Sequence, residues 1–260
     1  MWLEILFNAP QSGSTTLSGN NVYINWVNNL GHSFLKSCEI EIGGQKIDKL
    51  YSQWLDIWNE LTDEDKKFHL GLGKNSSKDT YLESNGIAGS AGDEDISTHL
   101  SHLERRTYVH LPFWFSKNVG SALPLIALQY HEVKLKLNTR PLASLINTNG
   151  TFTSGNFTYS SPNVQLWIDY IYLDTDERRR FAQVSHEYLI EQLQVISKSV
   201  GTDDAKFKMD LDLNHPVKEL IWVNQKDVNS IEDTTLSASI DAAGSEASKN
   251  DYFNYSSNLA

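Results

Sequence analysis

The residues with most chemical potential in this sequence are loop histidines and carboxylates. His99 and His102 stand three apart beside Asp93, Glu94 and Asp95, and His131-Glu132 follows on a predicted strand. A metal centre needs ligands held on facing elements, and an H-x-x-H in an acidic loop reads as a solvated cluster instead. His186-Glu187 lacks the second histidine of H-E-x-x-H, which removes the zinc-protease reading. The single cysteine, Cys38, sits in an alternating stretch and reads as a buried or half-buried thiol without activation. There is no G-x-S-x-G, and the glycines at Gly71-Leu-Gly73 and Gly86 to Gly92 follow no strand-to-helix context that could cradle a phosphate. The sequence therefore predicts no catalytic residue, no metal and no cofactor. Asn75, Asn149, Asn156 and Asn254 match the N-x-[ST] glycosylation pattern, weak matches at a frequency that chance supplies in an Asn/Ser/Thr-rich chain.

Arg178-Arg179-Arg180 raises the question of nucleic acid. Asp174 lies four residues before Arg178 and Asp176 four before Arg180, a spacing that favours intrahelical ion pairs of about 0.2–0.5 kcal/mol each. Asp174 and Glu177 also have the spacing of a helix N-cap and its reciprocating partner. A net charge of −11 opposes a polyanionic partner, so no direct nucleic-acid contact is expected. One cysteine excludes an internal disulfide framework and fits a reducing compartment. No window of about 18 apolar residues exists, so no membrane-spanning helix is expected.

The elements that position these residues are mostly strands. Trp2 to Phe7 reads as a strand, then Val22, Ile24 and Trp26 alternate as another. Gly43-Gly44 between alternating runs predicts a two-residue hairpin, with Ile42 facing Gln45, Glu41 facing Lys46 and Ile40 facing Ile47. The next rung would oppose Glu39 to Asp48, so the ladder should fade there. Leu50, Trp54, Trp58 and Leu61 switch to helical spacing, with Asp48 as the expected N-cap. A long polar loop runs from about 68 to 106. Thr107 to Phe115 reads as a strand with Val109, Leu111, Phe113 and Phe115 on one face, and Tyr130 to Asn138 as a half-buried one. A second loop spans about 139 to 162. Val164, Leu166, Ile168, Tyr170 and Tyr172 share one strand face before the charged helix; Phe207 to Leu213 and Val217 to Val223 alternate after it. Many strands, few helices and long loops predict an all-β antiparallel sandwich or jelly roll.

Four stretches, in order, carry a family likeness: Trp26 to Leu61 with its CEIEIGGQKI hairpin, Leu111 to Asn138 (LPFWFSKNVGSALPLIALQYHEVKLKLN), Tyr170 to Gln194 (YIYLDTDERRRFAQVSHEYLIEQLQ) and His215 to Val223 (HPVKELIWV). Together they resemble the major capsid protein of the nucleocytoplasmic large DNA viruses, the group of iridoviruses, phycodnaviruses and mimivirus relatives. The resemblance implies a double jelly roll, two antiparallel β-sandwiches in one subunit. The first domain would span residues 1–184, lack the family's N-terminal strand and end in a connector helix carrying Asp174, Glu177, Arg178 and Arg180. The second, 185–260, would be a truncated start. It also implies a homotrimeric capsomer in an icosahedral shell, located in the virion after assembly in the host cytoplasm. Partners would be neighbouring capsomers and minor capsid proteins, without enzymatic turnover. The alternative is a jelly-roll glycan-binding module using an exposed loop aromatic such as Tyr81. Trp54, Trp58 and Trp167 are expected to serve structural elements instead.

Overall fold

The computed structural model describes residues 1–9, 11–12, 24–62, 104–148, 157–201, 206–230, 232, 250–253 and 255. Strand β1 (Trp2–Phe7) alternates half-buried and buried residues, and Leu3, Ile5 and Phe7 face inward. After β2 (Gln11–Ser12) and β3 (Ile24–Trp26), a short helix α1 (Leu30–Phe34) runs into β4 (Leu35–Ile42) and β5 (Gln45–Tyr51), followed by α2 (Ser52–Thr62). Later in the chain come β6 (Arg105–His110), α3 (Trp114–Lys117) and β7 (Val133–Thr139). A 3-10 turn at Leu142–Leu145 then leads into β8 (Ile146–Thr148), β9 (Phe157–Thr158) and β10 (Asn163–Trp167). Helices α4 (Thr175–Gln183) and α5 (Asp227–Ser230) complete the described elements.

Every described pairing is antiparallel, as the all-β reading expects. One three-stranded sheet has the order β10-β1-β6, another β5-β4-β7, and β2–β9 and β3–β8 form two-stranded ribbons. The inner residues of both larger sheets (Leu3, Ile5, Phe7 and Val109; Leu35, Cys38, Ile40 and Leu50) belong to one buried cluster. Leu30 and Phe34 of α1 and Leu55 of α2 close it from the side. Phe7 anchors it, with the Phe34 ring edge-on at 5.2 Å and the Trp26 ring at 5.6 Å. A buried polar network ties α1 to α2. Asn29, in the left-handed region at φ 54°, donates through Nδ2 to Asp56 Oδ1 at 2.7 Å, and the same nitrogen lies 3.1 Å from His32 Nδ1. Asparagine tolerates that conformation better than most side chains.

The structure corrects several sequence expectations. In the β4–β5 hairpin, Ile42 opposes Gln45 and Glu41 opposes Lys46, but Ile40 then opposes Asp48 instead of Ile47. The extra residue is a β-bulge, and the slip removes the clash that should have ended the ladder, because Glu39 now faces Lys49. Asp48 therefore lies within β5 and is not the N-cap of α2. The strand expected over Thr107–Phe115 stops at His110, just ahead of Pro112, which cannot donate to a ladder; Trp114 starts a helix. The strand begun at Val164 stops at Trp167. Phe207–Leu213 and Val217–Val223, expected as strands, join no sheet among the described residues. The first long loop lies almost wholly outside the described residues.

Candidate functional site: the junction between the paired sheets and the later segment

No helix among the described residues is long and apolar enough to cross a membrane, and none of their His, Cys, Asp and Glu side chains cluster as a metal site. His99, His102, Asp93, Glu94, Asp95 and Tyr81 lie outside the described residues, as do the glycosylation candidates Asn75, Asn149, Asn156 and Asn254. His131 packs on the hairpin turn, and its neighbour Glu132 pairs with Lys134 at 3.0 Å. Cys38 is fully buried in the β4 ladder, and burial pushes its thiol up to about 12. A thiol held protonated is no nucleophile. What the described residues build instead is a junction, where the segment after α4 meets the first sheets.

Helix α4 starts at Asp174, whose extended backbone leaves Oδ1 free to accept the Glu177 N–H at 2.8 Å. Its other end closes on the bond from Val184 N–H to Arg180 O at 3.1 Å. The expected Asp174–Arg178 and Asp176–Arg180 pairs are not formed; the pair present joins Asp176 to Arg179 at 3.7 Å, three residues apart. All three arginines are solvent-exposed, so the competition of water leaves such pairs worth little. The chain then turns on His186, whose ring stacks on Phe181 and whose Nε2 sits 2.8 Å from Phe181 O.

Past that turn the segment docks along the outer edge of β5. An edge strand offers unpaired backbone groups, and here side chains take them. Asp48 Oδ1 accepts the N–H of Leu193 at 3.1 Å and of Lys49 at 2.8 Å, and the Gln192 side chain donates to Ile47 O beside the bulge. Burial pushes the Asp48 carboxyl above its usual range, while those two N–H groups and nearby lysines act in the opposite direction. Beside this seam, Glu191 receives Lys117 at 3.3 Å and also binds Lys218. The Lys218 hydrogen bond, helped by Lys117, holds Glu191 below the usual carboxylate range. Lys117 reaches over the Trp58 ring at 4.1 Å, so one lysine links α3, α2 and the later segment.

These contacts frame an open groove of about 740 Å³ between the hairpin (Ile42, Gly43, Ile47), the 121–131 stretch and residues Phe181 to Ile190. Gly43 borders it with φ 59°, and a Cβ there would lie 2.9 Å from His131 Nδ1. That turn must therefore be glycine on two counts, conformation and space.

Outside the junction, the face of β10 is uncovered. Val164 and Leu166 sit opposite Ile5 and Leu3, and so on the core side of the sheet, yet both remain exposed. Trp167 ends β10, in a structural element as expected, yet it is 57% exposed, and its Nε1 donates to Glu4 at 2.7 Å. Ile168, Tyr170 and Tyr172 follow in the same exposed run. The residues that sequence reasoning did not find are Asp48 in its docking role, Glu191 and Arg140. Glu191 carries no pattern signal. Arg140 follows the clean alternation of β7 and precedes Pro141, a position that reads as a surface loop.

A model described as "Major capsid protein N-terminus" matches residues 1–174, and one described as "Large eukaryotic DNA virus major capsid protein" matches 177–257. The chain is similar to the major capsid protein of Pyramimonas orientalis virus, 46% identical over 75% of this chain and 43% of the relative. It is 42% identical to that of Phaeocystis pouchetii virus, over 88% of this chain and 47% of the relative. The chain thus spans about half the length of the curated relatives it matches. A solved structure of PBCV-1 VP54, fitted into a reconstruction of the virophage Sputnik, aligns at 28% identity over 75% of this chain and 48% of that one. Its TM-score is 0.47. The chain belongs to the major capsid protein family of the large eukaryotic DNA viruses.

Proposed function

We propose that this chain serves as a structural subunit of a viral shell and works by self-association without catalytic turnover. In this reading it is built as a double jelly roll. Residues 1–184 form one unit, 185–260 begin a second, and α4 is the connector, capped by Asp174 with Glu177, Arg178 and Arg180 on its surface. The match of one family model up to residue 174 and of the next from 177 supports a joint at this helix. Three subunits form a capsomer with a pseudo-hexagonal outline, which meets neighbouring capsomers and minor capsid proteins in the virion after assembly in the host cytoplasm.

The observation that carries the reading is the family membership over nearly the whole chain. The physical pattern agrees with it. Uncovered apolar side chains on β10 and along 207–223 are what a subunit presents when burial is completed by other strands or other subunits. A glycan platform finds less support, because Trp54 and Trp58 pack on each other with ring centroids 6.0 Å apart and Lys117 covers Trp58. Light scattering on a protein that carries this sequence at the length of its relatives should give the mass of a trimer. A monomer at every concentration and ionic strength would overturn the proposal.

A further inference from the structure

Arg140 follows β7 and is only 6% exposed, a rare place for a guanidinium unless it is fully partnered. Its backbone N–H donates to Phe34 O at 2.9 Å. The side chain turns inward, where Nη1 donates to Ser33 O at 2.7 Å and Leu35 O at 3.3 Å, and Nη2 donates to Ser52 Oγ at 3.1 Å. Those carbonyls lie at the C-terminal end of α1, where helix backbone acceptors lack internal donors and positive charge is favoured. The N-terminal part of the chain thus satisfies the fork of the guanidinium. It leaves the Nε edge and one face of the plane to be covered.

Both are approached from more than 90 residues away, the Nε edge by an ion pair that lacks hydrogen-bond alignment. Glu232 Oε1 lies 3.3 Å from Nε and also pairs with Lys36 at 2.9 Å. The Tyr252 ring lies over the guanidinium with its centroid 4.2 Å from Cζ. Tyr252 is itself 2% exposed and belongs to the same buried cluster as Phe7 and Leu35. Its hydroxyl is 2.9 Å from Ser144 O and 3.1 Å from Asn250 Oδ1, and its carbonyl accepts from the Gln225 side chain at 2.8 Å. Phe253 sets its ring edge-on to His32 at 6.3 Å.

We infer that Glu232 and the Asn250–Phe253 turn form a latch that closes the core of the N-terminal sheets, with Arg140 as its catch. This places residues from the far side of α4 inside the N-terminal unit's core, and it stands whether or not the shell reading holds. The physical reason is charge compensation. A buried guanidinium stripped of its carboxylate and its aromatic cover is strongly disfavoured, so releasing the latch must loosen the elements the guanidinium ties. Packing of the turn on the surface alone would have no such reach.

Amide hydrogen exchange on the folded chain separates the two. Tyr252→Ala should speed exchange at Ser33 and Arg140 by about tenfold or more, the scale of one lost interaction to a buried charge. Tyr252→Phe keeps the ring and should change those amides far less. Glu232→Gln should act in the same direction as Tyr252→Ala. Lys36→Met, which touches only the outer partner of Glu232, should leave both amides within about twofold. Faster exchange confined to residues 250–253 in Tyr252→Ala would overturn the latch, as would Lys36→Met reproducing the effect of Glu232→Gln. If Tyr252→Ala does not fold, Glu232→Gln decides alone, and unchanged Ser33 and Arg140 amides would refute the proposal.

Discussion

Strand β7 and the stretch Phe207–Leu213 have the same sequence grammar and opposite fates. In β7, Val133, Leu135 and Leu137 alternate with Lys134, Lys136 and Asn138; in the later stretch, Phe207, Met209, Leu211 and Leu213 alternate with Lys208, Asp210 and Asp212. β7 pairs along its length with β4, its apolar side chains are half-buried against the core, and Lys136 pairs with Glu41 across the strands. The later stretch joins no sheet among the described residues, its side chains and carbonyls reaching only local partners such as Lys198 on Lys208 O, and Phe207 and Leu211 are 52% and 53% exposed. Period two states which residues can share a face; a partner strand decides whether there is a face to share.

The contrast can be broken most forcefully at its packed end. Phe7→Ala should cost about 3–5 kcal/mol in urea unfolding, whereas Phe207→Ala should stay within about 0.5 kcal/mol. Equal losses would mean the later stretch is packed after all. The hairpin that feeds β4 into its sheet comes next. Gly43→Ala meets both a positive φ and the His131 ring and should destabilise by about 1–2 kcal/mol; a stability unchanged by the substitution would contradict the turn geometry. At the joint between the two regions, Asp174→Ala should weaken the start of α4 by about 1 kcal/mol, read as faster amide exchange at Glu177, while β7 amides are unaffected. Cys38 offers a probe of the packed region alone. Its folded-state value of about 12 lies above that of a free thiol, about 8.5. Above pH 8.5 the unfolded chain ionises and the folded one does not, so Cys38's contribution to stability should fall steadily as pH rises toward 12. Cys38→Ala should flatten that slope, and an unchanged slope would place its origin elsewhere.

How much was legible in the sequence follows from the same contrast. β1, the Gly43-Gly44 turn, α2 and β7 could be read because local pattern and tertiary partner agree there. The bulge at Ile47 could not, since it depends on which of two registers relieves Glu39 of Asp48, a cross-strand matter. Asp48 has the spacing of a cap, but the strand runs on to Tyr51, again a matter of cross-strand pairing. The four-residue spacing in α4 does not fix its ion pairs, because exposed arginines have several carboxylates and water to choose from. Arg140 was invisible, since its acceptors lie near residues 33, 35 and 52 and its cover at 232 and 252; no local pattern encodes such separations. The family resemblance was readable because it rests on long ordered stretches and needs none of these contacts.

On the proposed shell reading, the alternation of the later segment exists for burial that other strands or subunits supply. Amide exchange at residues 207–223 tests it most directly, measured in this 260-residue chain and in assembled particles of a protein carrying it at the length of its relatives. Free exchange is expected in the former and strong protection in the latter, with β7 protected in both. Protection already present in the 260-residue chain, or none in the assembled particles, would contradict it.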